Sequence, residues 1–383
     1  MSKYVIDSTT LVAIGDAVRE KEGTTAPIAV NQLATRISAI ETGGGGTELP
    51  EAMFNITGDC SYRFARGGWN WYIDAFGNKA KTNNITNADS MFFEDASIKS
   101  IPFELNFSGK AVSVDNMFNG CTSLEAVPKI NNLQIGERMS LFQGCSNLKE
   151  IPEDWCSNWD WSYMDNQTSG YNCTSSYMYY GCSSLRKVNM DLLKHGNPQA
   201  TNTTSIYNRT VTYCYHLDEI TDIPFPHYKS KWTSNAFNTT FQSCCRVKDV
   251  TFATQEDGTP YVMNWSKQTI DLSIYVGYAQ HAVNITQYDT DGIFTDKGIY
   301  NEASYQALKD DVDAWTTMTQ YSRYNHDSAV ATINSLPDVT QGSNNVIKFK
   351  GVCGELTDGG AINTLTEEEI AVATAKGWTV TLV

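Results

Sequence analysis

One phrase recurs along this chain and constrains it more than any other feature. An aromatic or aliphatic residue is followed three positions later by Cys, then by Leu or Val, then by Val or Ile. The runs are Phe118-Cys121-Leu124-Val127, Phe142-Cys145-Leu148-Ile151, Tyr179-Cys182-Leu185-Val188, Val211-Cys214-Leu217-Ile220 and Phe241-Cys244-Val247-Val250. A degenerate copy, Phe92-Asp95-Ile98-Ile101, carries Asp in the Cys slot. Successive slots lie 26, 24, 37, 32 and 30 residues apart. Self-similarity at such a period predicts a solenoid, in which stacked units share one narrow ladder of buried side chains. The Phe-x-x-Cys step has helical spacing and predicts a short helical turn. The Leu-x-x-Val/Ile step predicts a short strand, often closed by proline (Pro102, Pro128, Pro152, Pro224).

The Cys slot asks for a small apolar side chain, so its thiols read as buried and reduced. The remaining cysteines are Cys60, Cys156, Cys173, Cys245 and Cys353, with no Cys-x-x-Cys pair and no zinc spacing. The opening sequence has no basic head followed by an unbroken apolar core, so no secretory signal is expected. No disulfide is then expected either. The chain either stays in the cytosol or leaves with an assembly released by lysis. No run is long enough for a membrane helix. The formal net charge of -15 opposes nucleic acid and anionic membranes as partners.

Around the repeats, the remaining segments are legible in turn. Residues 1–42 predict two short helices, with apolar stripes Leu11, Ile14, Val18 and Val30, Leu33, Ile37. Helices this short need a dock: each other, a sister subunit, a larger assembly or the repeats themselves. Residues 43–49 form a linker that opens with the glycine run Gly43-Gly44-Gly45-Gly46. Residues 50–87, with Trp69-Asn70-Trp71-Tyr72-Ile73, predict a hairpin or sheet capping the array. The repeats fill 88–252. Residues 253–383 predict a strand over 269–276, helices over 303–315 and 327–336, a strand over 345–350, a helix opened by Thr366 and a last strand over 378–383. Tyr288–Gly292 resembles a calcium loop but lacks its third acidic position and distal Glu, so a tight turn is expected.

Met117-Phe118-Asn119-Gly120-Cys121-Thr122-Ser123-Leu124 and Met178-Tyr179-Tyr180-Gly181-Cys182-Ser183-Ser184-Leu185 resemble the BspA-type leucine-rich repeat of bacterial and phage surface proteins. The closing phrase, Leu365–Ala371 with Ala375–Trp378, is similar to the end of such proteins. The opening one, Ile6–Leu11 with Ile14, Ala17–Arg19 and Ile28–Val30, resembles the start of many phage tail and tail-fibre proteins. The resemblance implies an α/β repeat: a leucine-rich-repeat solenoid with capping segments, preceded by a small N-terminal helical anchor. It implies a virion tail protein, a tail fibre or receptor-binding protein, that adheres to the host surface without catalysis. Its partners would be other tail proteins, met through the N-terminal helices, and a host glycan or protein. A homo-oligomer is expected, with a trimer as one symmetry that fibres use. A structural head, collar or baseplate decoration protein and a glycan depolymerase are the alternatives.

No cofactor, metal or catalytic constellation is expected. The five His residues have no ligand spacing, and Asp154, Asp160 and Asp165 stand isolated in loop-like sequence. The insertion at 153–181 offers Trp155, Trp159, Trp161, Tyr163, Tyr171, Tyr177, Tyr179 and Tyr180 amid amides and carboxylates, a composition suited to sugars or to a protein partner. Alternatively, these rings pack beneath the loop. A second patch, over 196–213, holds Asn202, Tyr207, Asn208, Arg209 and Tyr213.

Overall fold

The computed structural model describes residues 14–20, 36, 54–76, 80–166, 175–195, 207–225, 231–232, 235–242, 244, 247–273, 324–350 and 362–383. Thirteen strands are named here in chain order: β1 (Asn55–Asp59), β2 (Lys81–Asn87), β3 (Leu105–Asn106), β4 (Ala111–Ser113), β5 (Ile130–Asn131), β6 (Gln134–Glu137), β7 (Glu219–Ile223), β8 (Lys231–Trp232), β9 (Asp249–Phe252), β10 (Asn264–Trp265), β11 (Thr269–Asp271), β12 (Asn345–Phe349) and β13 (Trp378–Leu382). Among the described residues these helices join them: α1 (Gly68–Phe76), α2 (Ser162–Asp165), α3 (Asp191–Lys194), α4 (His326–Ser335) and α5 (Glu367–Ala375). Residues 14–20 are also helical.

The expected α/β leucine-rich-repeat solenoid does not form. Among the described residues the strands gather into six separate small sheets, five of two strands and one of three, all with parallel pairing. Helices are few. The Phe-x-x-Cys step is not helical but a run of consecutive turns. Its physical reason lies in the backbone. Ser90, Asn116, Ser140, Tyr177, Arg209 and Thr239 open the step at φ between 50° and 56°, and a left-handed residue there stops an α-helix. The Leu-x-x-Val/Ile step is a strand only where it reaches Ile220 in β7 and Val250 in β9; around Ile101, Val127, Ile151 and Val188 no strand forms.

The repeated side chains nonetheless build the core. Phe118, Cys121, Leu124, Phe142, Cys145, Leu148, Ile151, Cys182, Leu185, Val188, Cys214, Leu217, Ile220, Phe241, Cys244, Val247 and Val250 are buried, and Val127 is partly buried against them. The rings of Phe92, Phe118, Phe142 and Tyr179 stack in sequence, with centroids 5.4, 5.6 and 6.1 Å apart and nearly parallel planes. Each slot thiol donates to the carbonyl of the preceding copy: Cys121 to Phe92, Cys145 to Phe118, Cys182 to Phe142, Cys214 to Tyr179 and Cys244 to Val211, at 3.0–3.2 Å. Cysteine suits the slot because it is small, apolar and still a weak donor. Backbone bonds tie one turn to the next at regular intervals, as in Phe92 N to Met117 O, Phe118 N to Leu141 O, Phe142 N to Met178 O and Tyr179 N to Thr210 O. Burying one such ring contributes about 2–3 kcal/mol.

Where Asp95 replaces Cys, its carboxylate has other work. One oxygen accepts the Trp69 N–H at 3.1 Å in the first turn of α1, and the other accepts the Ser97 N–H at 3.0 Å. Of the hairpin or sheet expected over 50–87, a sheet forms from β1 and β2, while the Trp69–Ile73 stretch lies in the helix α1. Trp69 and Tyr72 sit one helical turn apart on α1 and pack on Phe64, and Trp69 also reaches Phe92. β1 and β2 pair parallel rather than as a hairpin.

At the other end β11, β12 and β13 form the three-stranded sheet. α4 docks on β9, where Thr332 Oγ1 donates to Val250 O and Ser335 Oγ accepts the Phe252 N–H. The helix opened by Thr366 has a full capping box with Glu369. Gly342 is required at a close approach: a Cβ there would lie 1.6 Å from the Trp265 carbonyl oxygen.

Several expectations fall outside the described residues: the stripe positions Leu11, Val30, Leu33 and Ile37, the linker over 43–49, the helix over 303–315 and the turn at 288–292. Ile14 and Val18 are within them, and both are buried in this chain. These two side chains pack within the chain. Among the described residues no helix is long and apolar enough to cross a membrane.

Candidate functional site

The two sequence patches separate into a buried cluster and an exposed row. Trp155 and Trp159 belong to the first. Trp155 Nε1 donates to Pro128 O at 2.6 Å, and the two indoles meet edge-on at 4.7 Å. Both are buried, so neither is a plate for a ligand. Trp161 is half-buried beneath His195, whose ring stacks on it at 4.2 Å. His195 Nδ1 lies 3.1 Å from Asp165 in α2, and the Arg138 guanidinium lies 5.6 Å from the Trp161 ring.

Arg138 is itself almost fully buried. It donates to Met164 Sδ at 2.8 Å and to the His195 carbonyl at 2.6 Å. A buried guanidinium with such partners is a clamp: it fixes α2 against the segment that follows α3. Tyr163 stays exposed at the edge of this cluster. Tyr207 is buried, its hydroxyl donating to Pro224 O, and its ring stacks on Phe237. Tyr171 and Asn202 lie outside the described residues.

Tyr177 and Arg209 come together on the second feature. They open successive copies, joined by Tyr177 N to Asn208 O and Tyr179 N to Thr210 O. The Arg209 guanidinium sits 5.7 Å from the Tyr177 ring. Tyr180 lies 5.5 Å from Tyr177 and meets Tyr213 edge-on at 5.3 Å, and Tyr215 follows at 6.1 Å. All four rings are half-buried and Arg209 is exposed. Burial pushes the Tyr180 hydroxyl up, with the Tyr213 and Tyr177 hydroxyls adding to it and Arg209 opposing. The patches read from sequence held Tyr180 in the first and Tyr213 in the second, but not Tyr215. Tyr213 also precedes Cys214 where Gly120, Gly144 and Gly181 precede the earlier slot cysteines.

The three carboxylates weighed for hydrolysis do not converge. Asp154 is exposed. Asp160 accepts from Ser162 and Gln134, bonds that hold its carboxyl below the usual range and keep it charged. Asp165 is engaged by His195. Among the described residues no group of His, Cys, Asp or Glu is placed to hold a metal ion. No family model, curated protein or solved structure matches this chain.

Proposed function

We propose that this chain is a virion tail-associated protein of a bacteriophage, a tail fibre or receptor-binding type, that adheres to the bacterial surface without catalysis. The observation that carries the reading is the row of Tyr177, Tyr180, Tyr213 and Tyr215 beside exposed Arg209. Large, stiff, amphipathic rings on a hydrogen-bonded backbone are what a recognition surface needs, because little ordering entropy is lost on contact. The repeat phrase and the opening phrase support a phage surface protein by resemblance. The host partner would be a glycan or protein, and the virion partners would meet residues other than buried Ile14 and Val18.

The test is competition. Purified full-length chain should block adsorption of the parent particle to its host, and gold-labelled antibody should mark the distal tail. Failure to compete, with label on the capsid or collar, would replace adhesion by decoration. Release of reducing ends from host polysaccharide would replace it by hydrolysis.

A further inference from the structure

We infer that Tyr177, Tyr180, Arg209 and Tyr213 form a binding site for a saccharide that bears an isolated anionic group, a carboxylate or a phosphate. The inference deepens the adhesion reading and rests on it for its biological setting, but it stands on three observations of its own.

The first is backbone strain. Tyr177 and Arg209 occupy a left-handed position, at φ 56° and 52°, that Ser90, Asn116 and Ser140 occupy in the earlier copies. Tyr213 adopts φ 63° in the slot that glycine holds at 120, 144 and 181. A bulky residue in that region is disfavoured relative to glycine. Three such residues meeting in adjacent copies indicate that their side chains are kept for something other than the fold.

The second is the state of Arg209. Several surface cations pair across neighbouring segments: Arg66 with Glu94, Lys129 with Glu104, Lys187 with Glu153, Arg186 with Asp218. Arg66 even lies over the Phe93 ring, as Arg209 lies over Tyr177, yet it has its carboxylate. Among the described residues Arg209 has none. A guanidinium held over a ring and lacking an internal anion matches an external one.

The third is the surround. Tyrosine rings give a saccharide flat apolar faces to lie on, with hydroxyls at their edges for its own hydroxyls. The neighbouring copies add Asn208, Gln143 and Gln242, all half-buried, rather than carboxylates. The formal net charge of -15 repels a densely charged polyanion at a distance. A single acidic group within the ~8 Å screening length of Arg209 escapes most of that repulsion.

The test measures binding of the full chain to sialyllactose, to a glucuronate-terminated trisaccharide and to a lactose phosphate, with lactose as the neutral control. At least one acidic sugar should bind at least tenfold more tightly than lactose, and added salt should erode the difference. The two carboxylates against the phosphate identify the anion. Tyr213→Gly and Arg209→Ser install residues that the same slots already hold in sister copies, so both variants should melt no lower than the parent. Each should lower affinity for the acidic sugar about tenfold. Equal binding of lactose, no binding of any of the three, or undiminished binding by both variants would overturn the site. Host-cell binding that survives in both variants would overturn it too, while leaving adhesion through another surface standing.

Discussion

Cys145 Sγ donates to the carbonyl oxygen of Phe118, 3.1 Å away in the preceding copy. The thiol thus both fills the space between stacked rings and adds a second donor to a carbonyl that already accepts the Cys121 N–H at 3.0 Å. Cys145→Ala removes both contributions and should cost about 1–2 kcal/mol, read as a shift of the denaturant midpoint at unchanged slope. Burial pushes the thiols of Cys121, Cys145, Cys182 and Cys214 well above their ordinary range and that of Cys156 up to about 12. Peptide mapping after alkylation of native protein should find all five unmodified. Rapid modification of Cys145 before unfolding would contradict the packing.

Asp115 carries a pH dependence of unusual sign. It accepts the Met139 N–H at 2.6 Å, while burial, with Glu137 and Asp89 nearby, pushes its carboxyl up to about 7. The folded state therefore holds a proton that the unfolded chain, near 3.8, releases between those values. Stability from this group rises as pH falls from 7 towards 4. Solvent screening at a half-buried site leaves about 1–2 kcal/mol of the effect. Asp115→Asn keeps the acceptor and removes the charge. It should be more stable than the parent at pH 7.5, with the gap closing by pH 4.5; a gap of constant size would refute the assignment.

His326 shares that direction with pH, but as a cation held by two carboxylates rather than as an acid kept neutral by burial. Its Nε2 lies 3.2 Å from Glu369 and its Nδ1 3.3 Å from Asp327. Partial burial opposes the charged ring, but hydrogen bonds and attraction from the two carboxylates outweigh it and raise the pKa. The contribution is fully present below the unfolded value of 6.5 and is lost as pH rises through the folded one. His326→Gln should therefore melt earlier than the parent at pH 5.5 and with it at pH 8.5. The link joins α4 to the capping box of α5, so hydrogen exchange in 326–335 and 367–375 should quicken in the variant at the lower pH.

Trp155 and Tyr163 divide structure from surface within one stretch of sequence. Trp155→Ala empties a buried site and leaves the Pro128 carbonyl without its donor, so it should cost about 3–5 kcal/mol. Tyr163→Ala, on an exposed ring, should change stability by less than about 0.5 kcal/mol. Comparable losses from both substitutions in a thermal melt would mean that the loop is not layered as described.

The repeated core was readable because each copy places the same side-chain types in equivalent buried positions, so Phe118, Phe142 and Tyr179 announce one another. The conformation joining them was not. A spacing of three suits a helical turn and a string of tight turns equally, and the choice is made by left-handed residues such as Ser90, Asn116 and Tyr177 that no composition rule flags. The solenoid expectation failed at the same point, since period alone does not say whether short strands will merge into one sheet or remain as separate pairs. Trp155 and Trp159 looked like sugar plates because burial under a neighbouring turn leaves no trace in a single sequence. By contrast, the helices and strands over 326–349 and 367–382 lie close to their expected bounds, where caps such as Thr366 with Glu369 mark the ends locally.

Tyr213 shows what freedom a glycine slot gives to inheritance. Glycine at 120, 144 and 181 and tyrosine at 213 all satisfy one backbone geometry, and the hydrogen bonds between copies run through main-chain atoms that no substitution except proline removes. A lineage can therefore exchange what this edge displays residue by residue, at a tolerable loss of stability each time, without renegotiating the interior that supports it.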